Sequence, residues 1–419
     1  MYRPRVRPLL TRCAVLAVCV AVASCTSSSP SSKAIPAPAG LPPFYAVPAG
    51  VADKAPGTLL KWTTLSAPTV HGSVRRVMYA STDARGRSVA VTGLVFVPVA
   101  PPPPGGYPVV SWAHGTNGMT DQCAPSLHPA NALPTLTILN GMLSLGWEVV
   151  ATDYQGEGTP PGLVPYLVGD VAGRNAIDIV LAARKLPSSY AGARYVVWGH
   201  SEGGQTALFA WDLGTTYGAR SGVQMVGAVA GAPPSQLPAL WQALSPTPYR
   251  VYLYMMLAGF NAAYGNAAAP LVDVLTPAGT ALLPTLRQGC LASVASVVNA
   301  SPFGEVVKSN PFDIAAWKQV LTKNDPASFE SVPKVPLLIV HGAADEQIPV
   351  VTSAQLGQHL CDLGANLERW VYPDQNHGGV LIVSAVDLGH WILARFRGQA
   401  SSAPAQPAGA APVQAHTCR

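Results

Sequence analysis

The chain predicts an α/β fold in which helices cover both faces of a mainly parallel sheet. Three observations carry that prediction. Short apolar segments alternate with helical patterns between residues 107 and 230. Gly199-His200-Ser201-Glu202-Gly203 stands between an apolar run at 194–198 and a helical pattern at 205–211. That is the strand–turn–helix setting of a Gly-x-Ser-x-Gly elbow. A strand-like run returns at 336–340 after a long interruption, so the sheet resumes beyond an insertion.

In chain order, 74–80 and 88–97 alternate as two strands joined by a turn at 83–87, and 101–106 is a Pro/Gly loop. Residues 107–113 form the next strand, ending at His114-Gly115, and a helix covers 132–145. A strand at 146–153 precedes a helix at 170–186, with Asp178 and Arg184 on its polar side. The elbow strand and helix follow, then a strand at 223–230. From 233 to 332 the chain is rich in Ala, Leu, Pro and Tyr, with helical patterns at 252–260 and 281–298. This segment reads as a helical cap, or lid, inserted between two parts of the core, 42–232 and 333–397. Its stripe of Tyr252, Tyr254, Met255, Met256, Leu257 and Phe260 reads as cap core before substrate tunnel. Beyond 336–340 come a helix at 352–364, a strand at 367–372 and a helix at 379–396. The tail, 398–419, is Ala/Pro/Ser/Gln-rich and is expected to be poorly ordered apart from Cys418.

The first 25 residues read as an export leader. Arginines precede an apolar run at 13–24, which at twelve residues is shorter than the ~20 that a spanning helix needs. Val22-Ala23-Ser24-Cys25 resembles a bacterial lipoprotein processing site, with Cys25 as the lipidated residue and 26–41 as a flexible tether. The other reading is ordinary cleavage near Ala23-Ser24, with Cys25 incidental. The protein is therefore expected outside the cytoplasm, either anchored to the membrane surface or released. Charged residues make up only 11% of the chain, and four of its net +5 charges are Arg3, Arg5, Arg7 and Arg12 of the leader. No basic groove remains to argue for nucleic acid. Cys123, Cys290, Cys361 and Cys418 are an even set with no CxxC spacing, so two disulfides are expected, with three pairings open.

A serine nucleophile needs a base and a carboxylate that orients the base. Ser201 is the candidate nucleophile, with Gly199, His200 and Gly203 forming its elbow. Asp345 lies just past the strand at 336–340 and is the candidate acid; Glu346 is its neighbour, and the plainer role for Asp345 is a helix-capping carboxylate. His377 follows the last strand on a glycine-flanked loop and is the candidate base. His71, His128, His359, His390 and His416 lack that setting, while His200 and His341 are motif neighbours. Backbone amides of Glu202 and Thr116, on a loop with Gly115, are the candidate oxyanion donors, and Thr116 can add its hydroxyl. A plain glycine turn is the bland reading of that loop.

Taken together, Trp112 to Gly118, Asp153 to Thr159, Gly199 to Gly204, His341 to Asp345 and Asn376 to Gly378 resemble the secretory lipase family of the α/β-hydrolase fold. The resemblance spans roughly residues 42–397. It implies a serine esterase or lipase acting on acylglycerols or related esters, with a helical lid and neither metal nor cofactor. It also implies disulfides Cys123–Cys290 and Cys361–Cys418. Family members often carry Gln or Gly where Glu202 stands, and a carboxylate there would oppose an oxyanion. Glu202 is accordingly expected to turn its side chain away into a hydrogen-bonded pocket, with Glu157 close by. The same residues would serve an acyltransferase, and a non-catalytic binding lipoprotein on a hydrolase scaffold is the alternative of a different class. A peptidase fits less well, because no substrate-anchoring domain is evident. The expected partners are an ester or lipid substrate and a membrane surface; oligomeric state is open.

Overall fold

The structure is a computed structural model that describes residues 1, 33–160, 162–400, 404 and 412–418. The leader with Cys25, the tether up to residue 32 and most of the tail lie outside the described residues. No helix among the described residues is long and apolar enough to cross a membrane.

The strands are β1 (Leu59–Leu65), β2 (Gly72–Thr82), β3 (Ser88–Pro98), β4 (Tyr107–Ala113), β5 (Glu148–Thr152), β6 (Ala191–His200), β7 (Gln224–Gly231), β8 (Leu337–Gly342), β9 (Leu367–Tyr372) and β10 (Gln414–Cys418). They form one sheet in the order β1-β2-β3-β5-β4-β6-β7-β8-β9-β10. From β5 to β9 every neighbouring pair is parallel, whereas β1, β2, β3 and β10 pair antiparallel at the two ends.

The helices between strands are α1 (Leu136–Ser144), α2 (Gly169–Ala183) and α3 (Glu202–Leu213). The long excursion between β7 and β8 holds α4 (Leu237–Leu244), α5 (Arg250–Tyr264), α6 (Leu271–Val274), α7 (Pro277–Ala281), α8 (Leu291–Val298), α9 (Phe303–Val306) and α10 (Ala315–Lys323). The chain then adds α11 (Val350–Asp362), α12 (Gly379–Val383) and α13 (Ala385–Arg397).

Strand periodicity divides the core into two layers. Tyr195 and Val197 of β6, with Leu337 and Ile339 of β8, pack beneath α2, α3 and α11. Val196 and Trp198, with Leu338 and Val340, pack against α1 and α13 on the other face. Both faces are covered, so the central strands read as continuous apolar runs. A separate core joins α4, α5, α8 and α10 to the segment before α2. Tyr254, Met255, Met256, Leu257 and Phe260 are buried in it.

Several sequence expectations need correction. Asp178 is not on a solvated face: it is fully buried and accepts hydrogen bonds from Ser81 Oγ at 2.6 Å and from the Tyr217 hydroxyl at 2.9 Å. Arg184 is exposed, and its guanidinium donates to Gly222 O at 2.8 Å. The helix expected at 281–298 is interrupted around Pro284 and Gly289: α7 ends at Ala281, and α-helix resumes only at Leu291–Val298. The helix expected from 132 begins after Thr135, whose hydroxyl caps it by accepting from Ile138 N. The tail contains a strand. β10 pairs along the open edge of β9, and Cys361–Cys418 fixes it there. The other disulfide is Cys123–Cys290.

Candidate active site

β6 delivers Ser201 into a sharp turn with φ 59° and ψ −123°, outside the regions that a residue with a Cβ prefers. The turn is held by Ser201 N donating to Gly231 O at 2.9 Å. It is possible only because the backbone passes very close to itself. A Cβ on Gly199 would lie 2.0 Å from Gly203 O, and one on Gly203 would lie 1.9 Å from Ala113 O. The turn places Ser201 at the start of α3, facing a cavity of about 410 Å³.

Asp345 and His377 come from the loops after β8 and β9. Asp345 Oδ1 accepts the amides of Gln347 at 2.9 Å and Ile348 at 2.8 Å. Its Oδ2 lies 2.7 Å from His377 Nδ1 and 3.2 Å from His341 Nε2. Burial would raise the carboxyl pKa, but hydrogen bonds from His341 and His377 outweigh burial and hold it well below the usual carboxylate range. Asp345 therefore stays ionised, and His377 keeps its proton on Nδ1 with Nε2 as the basic nitrogen. His377 lines the same cavity as Ser201, together with Trp112, Thr116, Tyr252 and Leu381.

Two motif neighbours are part of this arrangement. His341 Nε2 also contacts the carbonyl of Ile348 at 2.9 Å, so it carries a hydrogen, and its Nδ1 meets Ser353 Oγ at 2.8 Å. His341 thus braces the same Asp345 oxygen that meets His377. The ring of His200 packs on His377 with centroids 4.6 Å apart. Burial, followed by the His377 charge, pushes the His200 pKa down to about 3, so His200 is neutral and adds no competing cation. Glu346 is exposed and accepts the backbone N–H of His377 at 3.1 Å, which steadies the loop without touching the imidazole nitrogens. Only the His-Gly dipeptide at the end of the strand at 336–340 hinted at His341.

The wall opposite His377 is the loop after β4. A Cβ built on Gly115 would sit 3.6 Å from Ser201 Cβ, so this loop passes directly over Ser201. Among the described residues no hydrogen bond occupies the amides of Thr116 or Glu202. The loop is tied to the helices between β7 and β8 by Leu291 N donating to Asn117 O at 2.7 Å and by Cys123–Cys290.

The Glu202 side chain is buried behind Thr116, away from the cavity lining. The Thr116 hydroxyl hydrogen-bonds the Tyr166 hydroxyl at 2.8 Å. His114 stands beside this group. Its Nδ1 donates to Gly115 O at 2.7 Å, and its Nε2 is 3.2 Å from Glu157 Oε2. Burial works against a charge on His114, but Glu157 and then Glu202 outweigh it, and its pKa is pushed up to about 9. Burial raises both glutamates as well, Glu157 to about 8 and Glu202 to about 7. Two buried carboxyls facing one cation titrate as a unit, and one of them keeps its proton near neutrality. Sequence alone did not reveal the His114–Glu157 pair. Among the described residues no group of three or more His, Cys, Asp or Glu side chains is placed to hold a metal ion.

Comparison with known proteins places this geometry in a family. The family model described as secretory lipase matches residues 131–403. Lipase 6 of Candida albicans is 24% identical over 386 residues, covering 85% of this chain and 81% of the relative. A Mycobacterium tuberculosis protein described as a probable inactive lipase is 25% identical over 377 residues, covering 85% of this chain and 82% of its own length. Among solved structures, Candida antarctica lipase A superposes with a TM-score of 0.76 at 21% identity, covering 86% of this chain and 87% of that one. The rice cell wall degrading esterase LipA of Xanthomonas oryzae superposes at 0.66 and 18% identity, covering 82% and 98%. These likenesses show the α/β-hydrolase fold. Since the family match spans more than half of the chain and lies over both Ser201 and His377, the chain belongs to the secretory lipase family.

Proposed function

We propose that the protein is an exported serine carboxylic-ester hydrolase that acts on acylglycerols or related esters through an acyl-enzyme on Ser201. The observation that carries this reading is the 2.7 Å contact between Asp345 Oδ2 and His377 Nδ1 at the rim of the cavity that Ser201 faces. Membership of a lipase family supports the hydrolase class.

In this mechanism Ser201 Oγ attacks the ester carbonyl carbon and its proton passes to His377 Nε2. The carbonyl oxygen becomes an oxyanion held by the amides of Glu202 and Thr116. Collapse breaks the bond to the alcohol, which leaves with the proton from His377. Water then attacks the acyl carbon with His377 as base, and Ser201 regains its proton as the acid departs. Asp345 stays ionised throughout and stabilises the imidazolium, while His341 holds Asp345 in place.

The helices at 233–332 act in this reading as a lid that shapes the acyl site, with Tyr252 reaching the cavity and donating to Gln347 Oε1 at 3.0 Å. Cys25 is the proposed lipid anchor that keeps the enzyme at the membrane surface. Hydrolysis of p-nitrophenyl esters from short to long acyl chains tests the reading. Ser201→Ala must abolish turnover on every ester, and the best chain length reports the depth of the acyl site. Turnover that survives in the Ala variant would refute the assignment.

A binding protein without catalysis is the second reading, favoured by the relative described as a probable inactive lipase. Ser201 and His377 in one cavity, with Asp345 on His377 Nδ1, favour catalysis here.

A further inference from the structure

Two successive carbonyls of the loop over Ser201 are held by donors from one buried cluster. The Tyr154 hydroxyl donates to His114 O at 3.0 Å, and its ring packs on the His114 ring with centroids 4.3 Å apart. His114 Nδ1 lies 2.7 Å from Gly115 O. A carbonyl oxygen only accepts, so that nitrogen carries a hydrogen. The Asn117 side-chain amide, 3.2 Å from the same nitrogen, is the longer and weaker contact. His114 Nε2 faces Glu157 Oε2 at 3.2 Å, and among the described residues neither atom has another hydrogen-bonding partner. Tyr154, His114 and Glu157 are all buried, and although His114 lines the cavity, both of its nitrogens are turned into the protein. We propose that His114 is a positioning residue for the oxyanion hole: held by Tyr154 and Glu157, its Nδ1–H pins Gly115 O and so aims the Thr116 amide at the oxyanion. The proposal rests on the serine mechanism above.

A peptide unit is planar and trans, so its C=O and N–H point to opposite sides. Gly115 O and Thr116 N–H belong to one such unit. Fixing the oxygen on His114 Nδ1 directs the N–H away from that nitrogen, and among the described residues no hydrogen bond occupies it. Gly115 makes the hold necessary. A residue without a Cβ leaves the peptide units on either side of it free to rotate. Here Tyr154 pins the unit before Gly115, and His114 pins the unit after it. Tyr154 takes its place at a backbone cost, since its φ of 61° lies in the left-handed region. An amide that already points at the oxyanion stabilises it without turning during the reaction, and that preorganisation is what the cluster supplies.

The experiment compares three variants. His114→Leu cannot donate, His114→Asn puts an amide Nδ2 in place of the imidazole Nδ1, and Tyr154→Phe loses only the hydroxyl. Steady-state hydrolysis of p-nitrophenyl butyrate gives kcat and KM, and a thermal melt gives the stability of each. His114→Leu should lower kcat by roughly tenfold or more with KM within about threefold, and His114→Asn should recover most of that loss. Tyr154→Phe should lower kcat by about threefold or more with KM unchanged. A trifluoromethyl ketone forms an adduct on Ser201 that carries an oxyanion, so its inhibition constant should rise in step with the fall in kcat. A merely structural role would give equal losses in the Leu and Asn variants, following the melting temperature, and that pattern overturns the proposal. Wild-type kcat in folded His114→Leu overturns it as well. Should His114→Leu not fold, wild-type kcat in Tyr154→Phe overturns it alone. Fluorophosphonate labelling separates the two claims. No label on folded wild type overturns the serine mechanism, whereas labelled Ser201 with wild-type kcat in the variants overturns only the role of His114.

Discussion

Replacing Asp345 with Asn tests how the imidazole is held. The two carboxyl oxygens have different duties: Oδ1 accepts two backbone amides, from Gln347 at 2.9 Å and Ile348 at 2.8 Å, and Oδ2 accepts from His377 Nδ1 at 2.7 Å. In Asp345→Asn the amide oxygen must remain with the two backbone donors, because turning the NH2 toward them would lose both bonds. The NH2 then faces His377 Nδ1. Two donors cannot share that contact, so His377 moves its proton to Nε2 and presents an N–H, not a base, to Ser201. The shape of the site is kept and the tautomer is wrong. The expected loss is roughly 10³–10⁴-fold in kcat, or about 4–5.5 kcal/mol of transition-state stabilisation, with KM within a few-fold. Steady-state hydrolysis of p-nitrophenyl butyrate reads the rate, and a thermal melt confirms that the variant is folded. A folded variant with kcat within tenfold of wild type would refute the reasoning.

Gly203→Ala puts a Cβ 1.9 Å from Ala113 O and 2.7 Å from His114 O, both backbone atoms that no rotamer change can relieve. The variant should lose about 1–3 kcal/mol of stability and most of its activity, and wild-type melting with wild-type turnover would contradict this. Cys290→Ser opens a bridge between residues 167 positions apart, which chain entropy values at roughly 5 kcal/mol. Denaturant titration should show a loss of that order, and the freed oxyanion loop should lower kcat more than it changes KM. Asp178 tests the buried carboxylates. Burial raises its pKa to about 7, above the unfolded value near 4, so its ionisation takes stability away between about pH 4 and 7. Asp178→Asn should therefore melt progressively higher relative to wild type from pH 5 to pH 8, and a pH-independent difference would rule this out.

The central sheet was legible because strands buried on both faces read as continuous apolar runs, and the glycines of the elbow mark a turn that nothing larger permits. The edges were not. β1 is half-exposed, with Trp62 facing outward, and β10 is the polar run Gln-Ala-His-Thr-Cys, held by backbone pairing to β9 and by Cys361–Cys418. Neither carries a hydrophobic period that marks a strand. The candidate acid and base were legible from chain order alone, since each follows its own strand. The brace from His341 and the pairing of His114 with Glu157 were not, because those partnerships join separate parts of the chain or turn on burial that the local pattern does not record. Asp178 shows the same difficulty: a carboxylate at a helical position looks solvated until Ser81, 97 positions away, is found beneath it.

The most direct measurement of the central claim is the mass of the folded protein after incubation with a fluorophosphonate, followed by peptide mapping. The serine mechanism predicts one adduct per chain, located on Ser201 and absent from Ser201→Ala. It also predicts that the adduct forms far more slowly in His377→Ala. Folded wild type that takes no label, or an adduct on another residue, would contradict it.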